Sequence, residues 1–404
     1  MEIKTELLNK LYNGLKPETR ERVDLAVNEM VKVKEKGEKI VVVTGSGPNI
    51  HEGVSTLIAE LIHKGIIDGV TTSAAVVSHE LSGSLDKVHR VNGTALGFSK
   101  DQLPIDGLFE VTILAEDELK TLEKEMIIDR QLMQRALSLD GNTIIKAAGN
   151  MAYPLGLRTE RLAREIETVA RANGLPFEVV AGAGADPRTL LGAGYRNNVP
   201  VLVSVPQLVG GGAVGMALAD SISITERCTR IAHMLGSATM IIESAVALTQ
   251  EIHDGPFERF TGHGLWADWQ GYYTFSLADK KLLRIDLDPN LEKAWQQQRE
   301  SNIVQEAIAK GLPKTKLTGV PFRMEMSGFA RLPGSIPVIA DIGTIWPLLA
   351  WQVSTRLGVQ LDFMSYPQST AEGQEVREWI VREVKFADRE KMLAAFRSTG
   401  RMTD

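Results

Sequence analysis

Short apolar runs alternate with segments of helical period along most of the chain, which predicts repeated strand–helix units. The clearest unit is Lys39–Lys64, KIVVVTGSGPNIHEGVSTLIAELIHK. Lys39–Thr44 is a β-branched run of the kind that sits in a parallel sheet covered on both faces. Gly45-Ser46-Gly47 then turns the chain, because glycine accepts positive φ and lets a ligand approach the backbone. Asn49 stands as an N-cap with Glu52 three residues on, and Val54, Leu57, Ile58, Leu61 and Ile62 repeat at helical spacing. A helix starting there would point its free N–H groups at the glycine turn and favour a phosphate or carboxylate. An ordinary strand–helix corner explains the same residues.

Further along, the pattern predicts a strand near Gly69–Thr72 and a helix from about Ala74. Thr71, Thr72 and Ser73 put hydroxyls where strand becomes helix, the place where open α/β sheets hold ligands. His79 and Glu80 follow one or two turns into that helix. The 90–140 stretch reads as loop followed by helix over Ala115–Leu139. From NTIIKAAGN the rhythm returns, with a helix over Arg158–Asn173 stopped by Gly174, and strands at Phe177–Ala181 and Val199–Val205. After PQLVGGGAVG comes a long helix to about Met234, then a strand at Thr239–Ile242 and a helix near Ser244–Ile252. Leu282–Leu287 and Val338–Asp341 read as strands, and Trp346–Leu357 as a helix. The alternation implies a mostly parallel α/β sheet with helices on both faces. Three regions follow: a helical element at 1–38, an α/β domain at 39–386 and a helical tail at 387–404.

Residues 253–281, HDGPFERFTGHGLWADWQGYYTFSLADKK, break the pattern and read as an inserted aromatic lid or ligand-facing loop. Trp266, Trp269, Tyr272 and Tyr273 suit closure over a substrate, and equally a subunit interface. His253 and His263 frame the segment without HxxxH or HExxH spacing, so no metal is expected.

Composition narrows the class without fixing the chemistry. The 404 residues, 44% hydrophobic and 24% charged, are those of a globular protein with room for a large core. A net charge of −6 and the lack of a dense basic cluster argue against nucleic acid. The amphipathic N-terminus lacks a signal-peptide core, and no apolar run reaches the ~18–20 residues of a membrane span, so a cytoplasmic protein is expected. The single cysteine, Cys228, leaves no intrachain disulfide. No nucleophile elbow and no P-loop lysine occur, which places hydrolase and kinase readings low.

Gly210 to Gly215, GGGAVG, matches GxGxxG between a strand and a helix, with Gly211 and Gly212 as its inner residues. A closely packed turn would use the same residues. His79 and Glu80 suit general-base work, the histidine because its ordinary pKa lies near neutrality. A helix-surface pair is the plainer reading.

The order of these pieces is similar to a known fold. TGSGPNIHEG with IDGVTTSAAVVSHEL, then NNVPVLVSVPQLVGGGAVG and PVIADIGTIWPLLA, resembles the deoxyhypusine synthase-like NAD-binding fold, a Rossmann-like arrangement. MLGSATMIIESAVALTQEI followed by LRIDLDPN looks closer to the C-terminal NAD-dependent domain of archaeal and cyanobacterial ornithine cyclodeaminases. The resemblance covers roughly 39–95 and 197–350. It implies an NAD site at the carboxyl ends of the strands, built in part by Gly45, Ser46, Thr72, Ser73, Gly211 and Asp341, with Asp286 or Asp288 near a ribose. Gly47, Asn49 and Gly212 join that set from the turns themselves. The lysine segment of the synthases is missing, with only Lys280 and Lys281 near its place, and Val209-Gly210 stands where their glycine turn has an acid. Deoxyhypusine synthase itself is therefore not expected.

The expected function is that of an NAD-dependent enzyme acting on a small amino acid or polyamine-like amine by transient hydride transfer and imine formation, a lyase or oxidoreductase. His79, Glu80 and His263 are its candidate catalytic residues. An aminoalkyl transferase using an imine-forming lysine, or a non-catalytic nucleotide-binding protein, are the alternatives. The resemblance also implies a homodimer or homotetramer.

Overall fold

A computed structural model of the chain describes residues 3–397 apart from 46, 105–106, 205–207, 209, 246–278, 291–292, 294–295, 298–299, 313–314 and 320–333. The described strands are β1 (Ile40–Val43), β2 (Gly69–Thr72), β3 (Leu85–Asn92), β4 (Leu108–Thr112), β5 (Gly141–Ala147), β6 (Val201–Val203), β7 (Met240–Ser244), β8 (Lys281–Asp286) and β9 (Ile336–Ile339).

Six of them form one sheet in the order β6-β2-β1-β7-β8-β9, and every pairing is parallel. The chain runs outward from β1 to β2 and β6, then returns to lay β7 on the other side of β1 and continues outward again. This is the doubly wound, Rossmann-like order. β1 is buried along its whole length, as its IVVV sequence predicts for a central parallel strand. Alternate side chains divide between two cores. Ile40, Val42, Val70 and Met240 join the larger one, with the Val54–His63 and Ile342–Leu357 helices, while Val41, Val43 and Ile241 pack with Ile231 and Leu235 of the Ile224–Gly236 helix.

The Pro17–Glu35 helix packs on the Ile342–Leu357 helix and on β9, and Arg22 donates to the Pro337 carbonyl at 2.8 Å. No described helix is long and apolar enough to cross a membrane.

Three expectations are corrected. The 90–140 stretch is not a loop and one helix: β3, β4 and β5 make a separate antiparallel sheet in the order β4-β3-β5, with helices at Glu116–Glu125 and Arg130–Ser138. NTIIKA belongs to that sheet and not to the parallel one. Phe177–Gly184 is a helix, not a strand. Its small residues serve close packing: a Cβ on Gly182 would lie 2.6 Å from the Leu191 carbonyl oxygen. The aromatic insertion and the helix expected through Ile252 lie almost wholly outside the described residues.

Candidate functional site

The reversal of strand order between β1 and β7 opens a crevice at the carboxyl ends of the two strands, where sheets of this kind hold ligands. Gly45 and Gly47 stand at its floor; Ser46 is outside the described residues. Gly47 has φ 62 and ψ −122, a conformation that excludes other residues. The helix expected from Asn49 is divided: Pro48–His51 forms one turn, Gly53 turns left-handed with φ 70, and the long helix starts at Val54. Asn49 and Glu52 therefore form no capping box. Asn49 Oδ1 instead accepts from Ser244 Oγ at 2.6 Å, and Ser244 Oγ accepts from Trp346 Nε1 at 2.9 Å, which ties the turn after β1 to the end of β7.

On the strand ends beside the turn, Thr44 and Thr72 are fully buried and their hydroxyls have no partner among the described residues. Ser73 caps the Ala74–Leu81 helix by accepting from Val76 N at 3.3 Å. Gly211 lies against the start of that helix, where a Cβ would stand 2.7 Å from the Ala74 carbonyl oxygen. Gly212, at φ 60, begins the Ala213–Ser221 helix beside Asn150. Both glycine turns thus reach the same end of the sheet.

Glu80, a catalytic candidate from the sequence, is held in the structure as an anchor. Its two oxygens accept from Leu190 N at 2.8 Å and Leu191 N at 3.0 Å, satisfying the first turn of the Leu190–Asn197 helix. Burial pushes its pKa up to about 7 against those two donors. His79 remains open to chemistry. Its Nδ1 is enclosed without a partner among the described residues, against Gly149, whose Cβ would lie 2.9 Å away, while the ring as a whole is partly exposed. Burial, with His51 and Lys146 near by, holds its pKa down to about 4. The imidazole is neutral at neutral pH. His263 is outside the described residues.

Several groups around His79 were not singled out by spacing. His51, on the one-turn helix, has its pKa lowered by burial and by Arg377. Lys146 on β5 pairs with Glu110, which also holds Arg90 at 2.8 Å. Asp86 on β3 is buried, accepts from Thr112 Oγ1 at 3.2 Å and is pushed up to about 6 by burial. Glu52 Oε2 accepts from Gln368 N at 2.6 Å, and burial raises its pKa with help from Asp341. A cluster of perturbed acids and bases makes this region the candidate site. It lies between the parallel sheet's carboxyl edge and the antiparallel sheet, joining residues more than 300 positions apart in sequence.

The carboxylates of the later strands are placed apart from the turn. Asp286 accepts from Asp288 N at 2.6 Å and Asp288 from Asn290 N at 2.8 Å, successive turns at the end of β8. β8 is two strands from β1, roughly 10 Å across the sheet. Asp341, before the Ile342–Leu357 helix, accepts from Thr344 Oγ1 at 3.3 Å. Both it and Glu52 crowd Gly343, where a Cβ would lie 3.0 Å from Asp341 Oδ2 and 2.5 Å from Glu52 Oε2. Lys280 and Lys281 stand at the amino end of β8, opposite the crevice, with Lys281 paired to Glu29.

No protein-family profile and no curated protein matches the chain. Among solved structures, apo ArgZ, an arginine dihydrolase from the ornithine–ammonia cycle in cyanobacteria, is 13% identical with a TM-score of 0.38, over 83% of this chain and 31% of its own. A LOR/SDH protein from Methanococcus maripaludis S2 is 13% identical with a TM-score of 0.39, over 85% and 71%. AgrE in ternary complex with ornithine and NAD+ is 15% identical with a TM-score of 0.39, over 85% and 34%. The chain spans about a third of the length of ArgZ and AgrE. Likenesses this distant say nothing about substrate or reaction.

Proposed function

We propose that this chain is an NAD-binding enzyme acting on a small amino acid or amine, with the dinucleotide at the β1/β7 crevice and His79 moving the proton. The observation that carries this reading is the reversal of strand order directly above Gly45 and Gly47. The residues there suit a dinucleotide: glycine backbone for the pyrophosphate, with the hydroxyls of Thr44 and Thr72, unpartnered among the described residues, at the neighbouring ends of β1 and β2. NAD bound there would supply a hydride acceptor able to return the hydride. The chain's own part is proton transfer and positioning. His79 Nε2, neutral, would accept a proton from a substrate ammonium, leaving the nitrogen lone pair free to assist loss of hydride from its carbon. Gly149 backs the ring, and Nε2 accepts in the tautomer whose Nδ1 carries the ring proton.

Titration calorimetry with NAD, and with NADP and NADH as comparators, tests the reading. Saturable binding of NAD at one site per chain supports it, and no binding of any of the three overturns it.

One observation favours a second reading, aminoalkyl transfer through a lysine imine. Lys146 lies in the cleft close enough to lower the pKa of His79, unlike Lys280 and Lys281. Borohydride treatment with NAD and spermidine would leave a stable adduct on Lys146 under this mechanism and none under the first.

A further inference from the structure

β6 is an outer strand of the parallel sheet, and its ladder to β2 uses alternate residues. Val70 N donates to the Pro200 carbonyl at 2.9 Å and Ser204 N to the Thr72 carbonyl at 3.0 Å, which turns the N–H and C=O of Val201 and Val203 to the free side. The Val203 pair is closed from within: its N–H donates to Glu178 Oε1 at 2.7 Å and its C=O accepts from Arg227 Nη1 at 3.3 Å. The Val201 pair has no partner among the described residues, although Val201 is only 6% exposed. Buried backbone groups are nearly always paired, so this rung calls for a partner.

A cavity of about 840 Å³ lies along the same edge, and Val201 lines it. Leu191, from the larger core on one face of the sheet, and Met234, from the core on the other, line it too, so it wraps the free edge. Lys39 and Asp68, which precede β1 and β2, set it at the amino ends of the strands, away from the crevice at their carboxyl ends. Tyr195 gives it an aromatic ring.

An added strand does not fit this edge. On one side of Val201 the next rung is taken by Glu178 and Arg227. On the other, Val199 spends its N–H on the Gly194 carbonyl at 2.9 Å. What is left is one donor and one acceptor side by side, which suits a small planar molecule with an acceptor beside a donor. Heterocyclic bases carry such an edge, and their faces stack on aromatic side chains. We propose that this cavity binds a purine or pyrimidine base whose donor–acceptor edge pairs with the N–H and C=O of Val201. The site is separate from the dinucleotide crevice and does not depend on it.

Calorimetry with uracil, uridine and UMP, and with adenine, adenosine and AMP, tests the proposal and shows which form the cavity takes. At least one of the six should bind. Methylation of its pairing edge, as in 1,3-dimethyluracil, 3-methyluridine or N6,N6-dimethyladenosine, should weaken binding at least about tenfold, the loss expected when a buried donor or acceptor is left unpaired. Val201→Pro removes the free-side N–H without touching the ladder to β2 and should weaken binding by a similar factor. Tyr195→Ala, at a residue 42% exposed, should weaken it through lost stacking and serves where the proline variant fails to fold. In the unaltered protein, amide exchange at Val201 should slow when the base binds. No binding of any of the six, equal affinity for a methylated counterpart, or unchanged affinity in folded Val201→Pro overturns the inference. Binding that leaves the Val201 amide unprotected belongs elsewhere on the molecule, the crevice included, and overturns it as well.

Discussion

Ser244, the last residue of β7, gives its hydroxyl proton to Asn49 Oδ1 at 2.6 Å and accepts from Trp346 Nε1 at 2.9 Å. One hydroxyl thus joins the turn after β1, the end of β7 and the helix after β9. Ser244 and Trp346 are 0% exposed and Asn49 1%. Ser244→Ala would leave an acceptor and a donor buried without partners, at about 1–3 kcal/mol each. The variant is expected to lose about 2 kcal/mol or more of unfolding free energy, read from denaturant midpoints. A loss within experimental error would show that the three groups do not depend on one another.

The two glycine turns should respond differently to alanine. At Gly211 a Cβ would stand 2.7 Å from a backbone oxygen, so the turn must move off the Ala74–Leu81 helix. Gly211→Ala should cost about 1–3 kcal/mol, as overpacking does. At Gly47 a Cβ meets nothing within 4 Å, and the cost there is conformational, about 1–3 kcal/mol from its φ of 62 and ψ of −122. Both variants should lower thermal stability, while NAD affinity should fall more for Gly47→Ala, whose backbone forms the crevice floor. Equal affinities in the two variants would count against a ligand at the first turn.

These contrasts also show what was readable in the chain. β1, β7 and β8 are announced by aliphatic runs, because a strand buried on both faces has no polar alternation to confuse the pattern. Phe177–Val180 offers the same local signal and yet begins a helix, since Pro176 starts it and Gly182 and Gly184 pack it tightly against neighbouring backbone. The antiparallel sheet was obscured because β3 keeps charged residues such as Asp86 and Arg90 among its apolar ones. At the site, Gly45, Gly47 and His79 were recognisable from motif and position. The Glu52–Gln368 contact was not, because it is made by the return of the chain over the sheet and leaves no mark in local spacing.

Buried charge at the sheet edge gives a prediction about stability alone. Arg227 is 0% exposed and pairs with Glu178, while donating to the Leu218 carbonyl at 3.0 Å. Glu178 Oε1 accepts Val203 N at 2.7 Å and so blunts the open edge of β6. Arg227→Met strands the carboxylate and should cost about 3–5 kcal/mol. Adding Glu178→Leu removes the stranded charge and should recover part of the loss, less the unpaired Val203 N–H. If the double variant is no more stable than the single one, the pair is not the source of the effect.

The pH behaviour of His79 provides a check on the site itself. Its pKa is held to about 4 in the folded chain, below the 6.5 of an ordinary histidine. Between those values the unfolded chain binds the proton and the folded chain does not, so stability rises with pH across the window and is lost as pH falls from about 6.5 toward 4. His79→Gln should flatten that part of the stability curve without altering the plateau above pH 7. The same ring should place the acidic limb of kcat/KM, which reports the free enzyme, well below 6.5. Proton titration by NMR of the imidazole reads the value directly. A pKa near 6.5 would remove His79 from the buried cluster.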